Sequence, residues 1–123
     1  MKEGFLFCVC QGTCPSFAKE NAYEITNMVR KKYNVEYAAI HPQLCADDGD
    51  RFLKNILKGT DLDVLYVAGC DPAMQKKMFK DAFSAAGFDV KKLVGCDVRN
   101  KTTEEVEKQI SELIETTRKE AAK

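Results

Sequence analysis

The chain has 123 residues, 45% of them hydrophobic, which suits one domain with its own core and excludes extended disorder. Nineteen basic residues balance nineteen acidic ones, which excludes the basic footprint of a nucleic-acid binder or of a membrane-surface protein. No apolar run approaches the ~20 residues of a membrane span.

Met1-Lys2-Glu3-Gly4 leads into an apolar run without a signal-peptide layout, so the expected compartment is the cytoplasm. There, disulfides explain six cysteines poorly. Any one of them alone reads as a small buried hydrophobe. Several sharing one structural address would point to metal or redox chemistry.

The first element is the strand Phe5 to Val9. It breaks at Gln11-Gly12 into a loop that ends at Pro15-Ser16, a helix start. The expected helix runs from about Ser16 to Lys32. Its buried stripe is Ala18, Ala22, Ile25, Val29 and Tyr33, and Lys31-Lys32 sit at its carboxyl end. Cys10 then lies at a strand end and Cys14 at a loop end. Cys8 lies two residues before Cys10, so strand alternation puts both on one sheet face, with Cys8 deeper and read as core.

The second strand is Glu36 to His41, stopped by Pro42. The loop through Cys45 follows, and Asp47 or Asp48 is expected to cap a helix carrying Phe52, Leu53, Ile56 and Leu57. His41 reads as a surface or loop residue rather than a ligand.

The third strand, Val64 to Ala68, is almost wholly apolar, as an interior parallel strand should be. Gly69-Cys70-Asp71-Pro72 follows, with Asp71 as cap and Pro72 as first helical residue. That helix is expected to continue to Gly87 with Met74 and Met78 in the core. The fourth strand is read as Lys92 to Gly95, with Cys96 at its end. Thr102 and Glu105 form a capping box for a last helix built on Val106, Ile110, Leu113 and Ile114, with residues 119–123 frayed.

Four strands alternating with four helices predict a single α/β domain over residues 1–123. It is a doubly wound parallel sheet with helices on both faces, in the flavodoxin-like order 2-1-3-4, with 3-2-1-4 as the alternative. In such a sheet all strand carboxyl ends share one edge, where ligands collect. With ~4.8 Å between strands, Cys10, Cys45 and Cys70 can converge on one small object, and Cys14 can close over it. Cys96 arrives one strand further out.

Four thiolates fit an iron–sulfur cluster, 4Fe–4S with 2Fe–2S as the other option. Structural zinc favours close Cys-x-x-Cys pairs, and none occurs here. Helix starts near Ser16, Asp48 and Asp71 would aim amides at the same edge.

The segments Cys8-x-Cys10, Leu44-Cys45-Ala46-Asp47-Asp48-Gly49, Val67-Ala68-Gly69-Cys70-Asp71-Pro72 and Asp97-Val98-Arg99 come in an order that resembles the N-terminal iron–sulfur domain of the heterodisulfide reductase A-type subunits. The likeness covers roughly residues 4–100. A looser one extends to the delta chain of methyl-viologen-reducing hydrogenase.

Both families imply an iron–sulfur cluster relaying electrons between a flavin or hydrogenase partner and a thiol- or disulfide-handling partner. The ligands carried over are Cys10, Cys45 and Cys70, with Cys8 as a further candidate. Gln11 intervenes before Gly12, where that pattern has glycine directly after its second cysteine, and Cys14 and Cys96 have no clear counterpart. The expected protein is a non-catalytic electron-transfer protein, alone or as part of an oxidoreductase complex. Its partners would be flavoprotein, hydrogenase or heterodisulfide reductase subunits, with no nucleic acid. The other readings are a zinc or thiol–disulfide module, and a flavin-binding domain using Thr13 and Ser16 on phosphate.

Overall fold

Four parallel strands form the centre of the molecule. The computed structural model describes residues 1–123. In chain order the elements are β1 (Glu3–Cys8), α1 (Ala22–Tyr33), β2 (Tyr37–His41), α2 (Asp47–Leu57), β3 (Val64–Gly69), α3 (Pro72–Met78), α4 (Lys80–Ala86), β4 (Leu93–Asp97) and α5 (Thr103–Ala121). The strand order is β2-β1-β3-β4, all parallel, as the alternating pattern predicts.

Alternation along the strands fills two cores. Phe5 and Phe7 of β1 and Tyr66 and Ala68 of β3 face α1 and α5, where they meet Ile25, Val29, Val106 and Ile110. Leu6, Leu65 and Val67 face α2, α3 and α4, against Leu53, Leu57, Phe79 and Phe83. Each fully buried side chain of this size contributes roughly 1.5–3 kcal/mol. At the amino edge, the buried Glu3 carboxylate accepts from Tyr66 Oη at 2.6 Å and pairs with Arg118 at 2.7 Å, which ties α5 to the sheet.

Several boundaries differ from the sequence reading, each for a local reason. Residues 15–17 form an isolated 3₁₀ turn, and α1 starts only at Ala22. Asn21 takes extended geometry and caps it, its side chain accepting from Glu24 N at 3.0 Å, while Thr103 Oγ1 accepts from Asn21 N at 2.9 Å. Ala18 is exposed in consequence.

The N-cap of α2 is Ala46, without a side-chain bond, and Asp47, Asp48 and Asp50 stand in its first turn. The helix expected from Pro72 to Gly87 is broken at Phe79 into α3 and α4. On it Gln75, Phe79, Ala82 and Phe83 face inward, so Met74 and Met78 are exposed rather than in the core. The helical conformation of α5 continues to Ala121.

Candidate metal centre

Four loops meet at the carboxyl edge of the sheet, and three of them carry thiols. After Cys8 the chain leaves the extended state. Cys10, Gln11 and Gly12 all have positive φ, at 50°, 68° and 77°. For the two non-glycine residues this costs about 1–3 kcal/mol each, a strain typical of functional loops.

The turn is held against the β2–α2 loop. Val9 N donates to His41 O at 3.2 Å, Gln11 N to Pro42 O at 2.5 Å, and Gln11 Nε2 to Gln43 Oε1 at 3.1 Å. Because the strand ends at Cys8, alternation does not carry through to Cys10. Cys8 belongs to the core beneath α2–α4, whereas Cys10 packs toward α1 and α5, so the two do not share a face.

Cys45 is exposed on the β2–α2 loop. Gly49 fixes this loop, since a Cβ there would lie 2.3 Å from Leu44 O and 2.5 Å from Gln43 O. His41 is buried rather than on the surface. Its Nδ1 accepts from Gln43 N at 3.0 Å, its Nε2 stands 3.7 Å from Asp48 Oδ2, and its ring packs on Phe52 at 5.0 Å. It therefore braces the segment that carries Cys45. Gln43 Nε2 reaches Cys45 Sγ at 3.6 Å, and Leu44 N donates to Cys8 Sγ at 3.4 Å.

Cys70 follows β3 directly. Asp71 caps α3 by accepting from Ala73 N at 2.9 Å, with Pro72 as the first helical residue. Val98 N donates to Gly69 O at 2.9 Å, and Asn100 N to Ser16 O at 2.6 Å, which closes the fourth loop over the rim.

The thiols influence one another. Burial pushes the Cys10 thiol up, and the neighbouring Cys14, Cys8 and Cys45 add to this. Burial likewise pushes Cys70 up, reinforced by Cys8 and Cys45 and opposed by Arg99. Cys14 moves the other way. The Ser16 backbone N–H and hydroxyl lower it most, with Cys10 and the Arg99 guanidinium helping. Arg99 is held by Asp97, Nη2 to Oδ2 at 2.7 Å and Nε to Oδ1 at 3.0 Å.

The rim thus gathers Cys8, Cys10, Cys14, Cys45 and Cys70. Cys96 does not join it. The strand β4 runs two residues further than expected, so Cys96 lies within it, 6% exposed and packed among the residues facing α1 and α5. Burial pushes its thiol up to about 11.

No three histidine, cysteine or carboxylate side chains are close enough together to hold a single metal ion. A polynuclear cluster places its thiolates around a larger object, and two further observations suit one. The Gln75 amide, 2% exposed, has no hydrogen-bond partner for either of its polar atoms. It borders the notch left by Gly69, where a Cβ would lie 2.9 Å from Gln75 Nε2 and 3.3 Å from Cys8 Cβ.

The sequence reading gives Gln75 and Arg99 no site role. Gln75 carries a signal all the same: counting four residues back from Phe79 along the stripe Phe79, Ala82, Phe83 gives Gln75, not Met74.

Fold and rim together define a small doubly wound α/β domain with cysteines at or just beyond the carboxyl ends of three strands. Within that class the chain is similar to the A-type subunits of heterodisulfide reductase. It is 31% identical over 71 residues to the first such iron-sulfur protein of the CoB–CoM heterodisulfide reductase of Methanopyrus kandleri, covering 58% of this chain and 11% of the relative. It is 27% identical over 85 residues to the corresponding iron-sulfur protein of Methanocaldococcus jannaschii, covering 69% and 13%. It is 28% identical over 87 residues to the A-type component of the H(2)/formate:CoB-CoM heterodisulfide,ferredoxin reductase of Methanococcus maripaludis, covering 71% and 13%. The chain therefore matches only about an eighth of the length of these relatives. No family model matches it, and no helix is long and apolar enough to cross a membrane.

Proposed function

We propose that this domain is an iron–sulfur electron-transfer module, its cluster held at the sheet rim by Cys10, Cys14, Cys45 and Cys70. The observation that carries this reading is the arrival of thiols from three separate strand–helix loops at one edge, where Cys10 and Cys70 are pushed up by burial and by their thiol neighbours. The relatives' names, which are those of iron-sulfur and heterodisulfide reductase subunits, support it.

Four thiolates suit a 4Fe–4S cluster, which when bound accepts and releases single electrons. A structural zinc ion, whose four sulfurs sit ~2.3 Å from a single centre, is usually held by close Cys-x-x-Cys pairs, and the chain has none. The chain's own part is to hold and insulate. Leu44 N–H donates to Cys8 Sγ, Ser16 and Arg99 favour the thiolate of Cys14, and Cys8 walls the inner side.

The partners are redox proteins, namely flavoprotein, hydrogenase or heterodisulfide reductase subunits, and the compartment is a reducing cytoplasm. Iron and sulfide analysis with EPR on the reduced, anaerobically prepared protein tests this. Near-stoichiometric cluster iron and sulfide support the reading, and colourless iron-free protein after reconstitution overturns it.

One observation favours a second reading. Two neighbouring thiols, Cys10 raised and the partly exposed Cys14 lowered, suit a thiol–disulfide pair. Reversible formation of an intramolecular disulfide by iron-free wild-type protein would point there.

A further inference from the structure

Gln75 is among the most buried polar residues of the molecule, yet its amide bonds to nothing in the protein. An orphaned buried amide carries its full desolvation penalty, so the fold alone would be better served by an apolar side chain of the same shape. It lies on the inward face of α3 and reaches the rim at one point, the notch left by Gly69. The position of an absent Cβ at Gly69 is 2.9 Å from Gln75 Nε2 and 3.3 Å from Cys8 Cβ.

On the same side, Leu44 N–H already donates to Cys8 Sγ, and Cys70 directly follows Gly69 at the end of β3. The amide nitrogen thus borders the same notch as Cys8, from the buried side that solvent does not reach.

We propose that Gln75 is a positioning residue of the cluster site. Across the Gly69 notch its Nε2–H donates to a sulfur of the bound cluster or of its thiolates. This rests on the iron–sulfur reading above. A donor to sulfur offsets the extra negative charge of the reduced state and so raises the reduction potential.

The test uses the full-length, anaerobically loaded chain and two variants of similar size that lack the donor, Gln75→Met and Gln75→Leu. Midpoint potential is measured by redox titration followed by EPR, with iron, sulfide and far-UV circular dichroism as controls. The expected result is wild-type secondary structure with a lowered midpoint potential and altered g-values. Loss of iron with the fold intact supports the same role. Variants that keep wild-type iron content, potential and spectrum overturn it, as would variants that fail to fold, since the amide would then be serving the protein itself. A wild-type chain that takes up no iron sinks the cluster reading and this inference with it, an outcome distinct from unchanged variants of a loaded protein.

Discussion

Cys10 and Cys14 are neighbouring thiols whose surroundings drive them in opposite directions. Cys10 is pushed up by burial, while Cys14 is brought down by Ser16, Cys10 and Arg99. The iron-free chain should therefore form thiolate at Cys14 before Cys10 or Cys70. Alkylation followed by mass spectrometry should label Cys14 ahead of Cys10 and Cys70. Arg99→Gln, by removing a cation, should raise the Cys14 thiol and slow its labelling several-fold at about pH 7. Equal labelling of Cys10 and Cys14 would contradict the asymmetry.

Cys45 and Cys70 reach the rim from separate loops, whereas Cys96 is enclosed in β4. Cys45→Ser and Cys70→Ser should each abolish stable cluster incorporation with the fold retained. Cys96→Ser should keep the cluster but bury a hydroxyl among apolar neighbours, lowering stability by about 1–3 kcal/mol in denaturant titrations. Iron loss from Cys96→Ser equal to that from the other two would mean that β4 does not hold its cysteine away from the rim.

Gly49 tests whether the Cys45 loop is built to one shape. A methyl group there meets the carbonyl oxygens of Leu44 and Gln43 at 2.3 and 2.5 Å, and backbone cannot swing aside as a side-chain tip can. Gly49→Ala should move the loop, cost on the order of 1–3 kcal/mol by overpacking, and lower iron content. Gly12→Ala is the contrasting case. No atom lies within 4 Å of its Cβ position, so its cost is conformational alone, from φ +77°. Wild-type iron content and stability in Gly49→Ala would show that the loop does not depend on the missing side chain.

Glu20 gives a pH signature that does not involve the rim thiols. Both carboxylate oxygens are occluded and unpartnered, and burial pushes the carboxyl up to about 7 against the opposing influence of Lys101. The folded state then binds a proton that the unfolded chain has lost, so stability falls as pH rises from the ordinary value of 4.5 toward 7 and levels off above it. Glu20→Gln should be more thermostable than wild type at about pH 8, with the difference shrinking toward about pH 4.5. A gain independent of pH would show that the carboxyl does not titrate in that window.

The sheet and most of the rim are legible in the sequence because their signals are punctuation. Pro42 after β2, Asp71-Pro72 after β3 and the Thr102–Glu105 box each set a boundary by local chemistry, and the parallel order follows from alternating elements. Sequence and structure part where tertiary contacts choose among equally good local options. Gly12 announces a turn, but the left-handed geometry already begins at Cys10 and Gln11, where no glycine marks it, and this moves Cys10 off the face of Cys8. Leu93 to Val98 alternates well enough to extend β4 by two residues, which draws Cys96 inside. The Met74–Met78 stripe and the Gln75–Phe79 stripe are one residue apart, and apolarity alone selects the wrong one.

Thiols from distant loops jointly holding an iron–sulfur cluster is the claim on which the rest depends. Iron and acid-labile sulfide, measured per chain on anaerobically reconstituted protein with the reduced-state EPR spectrum, test it most directly. The expected result is about four irons and four sulfides per chain, as four thiolate ligands imply, with a cluster signal that disappears in Cys45→Ser and Cys70→Ser. A folded wild-type chain that stays colourless and iron-free, or one whose iron survives both replacements, would contradict it.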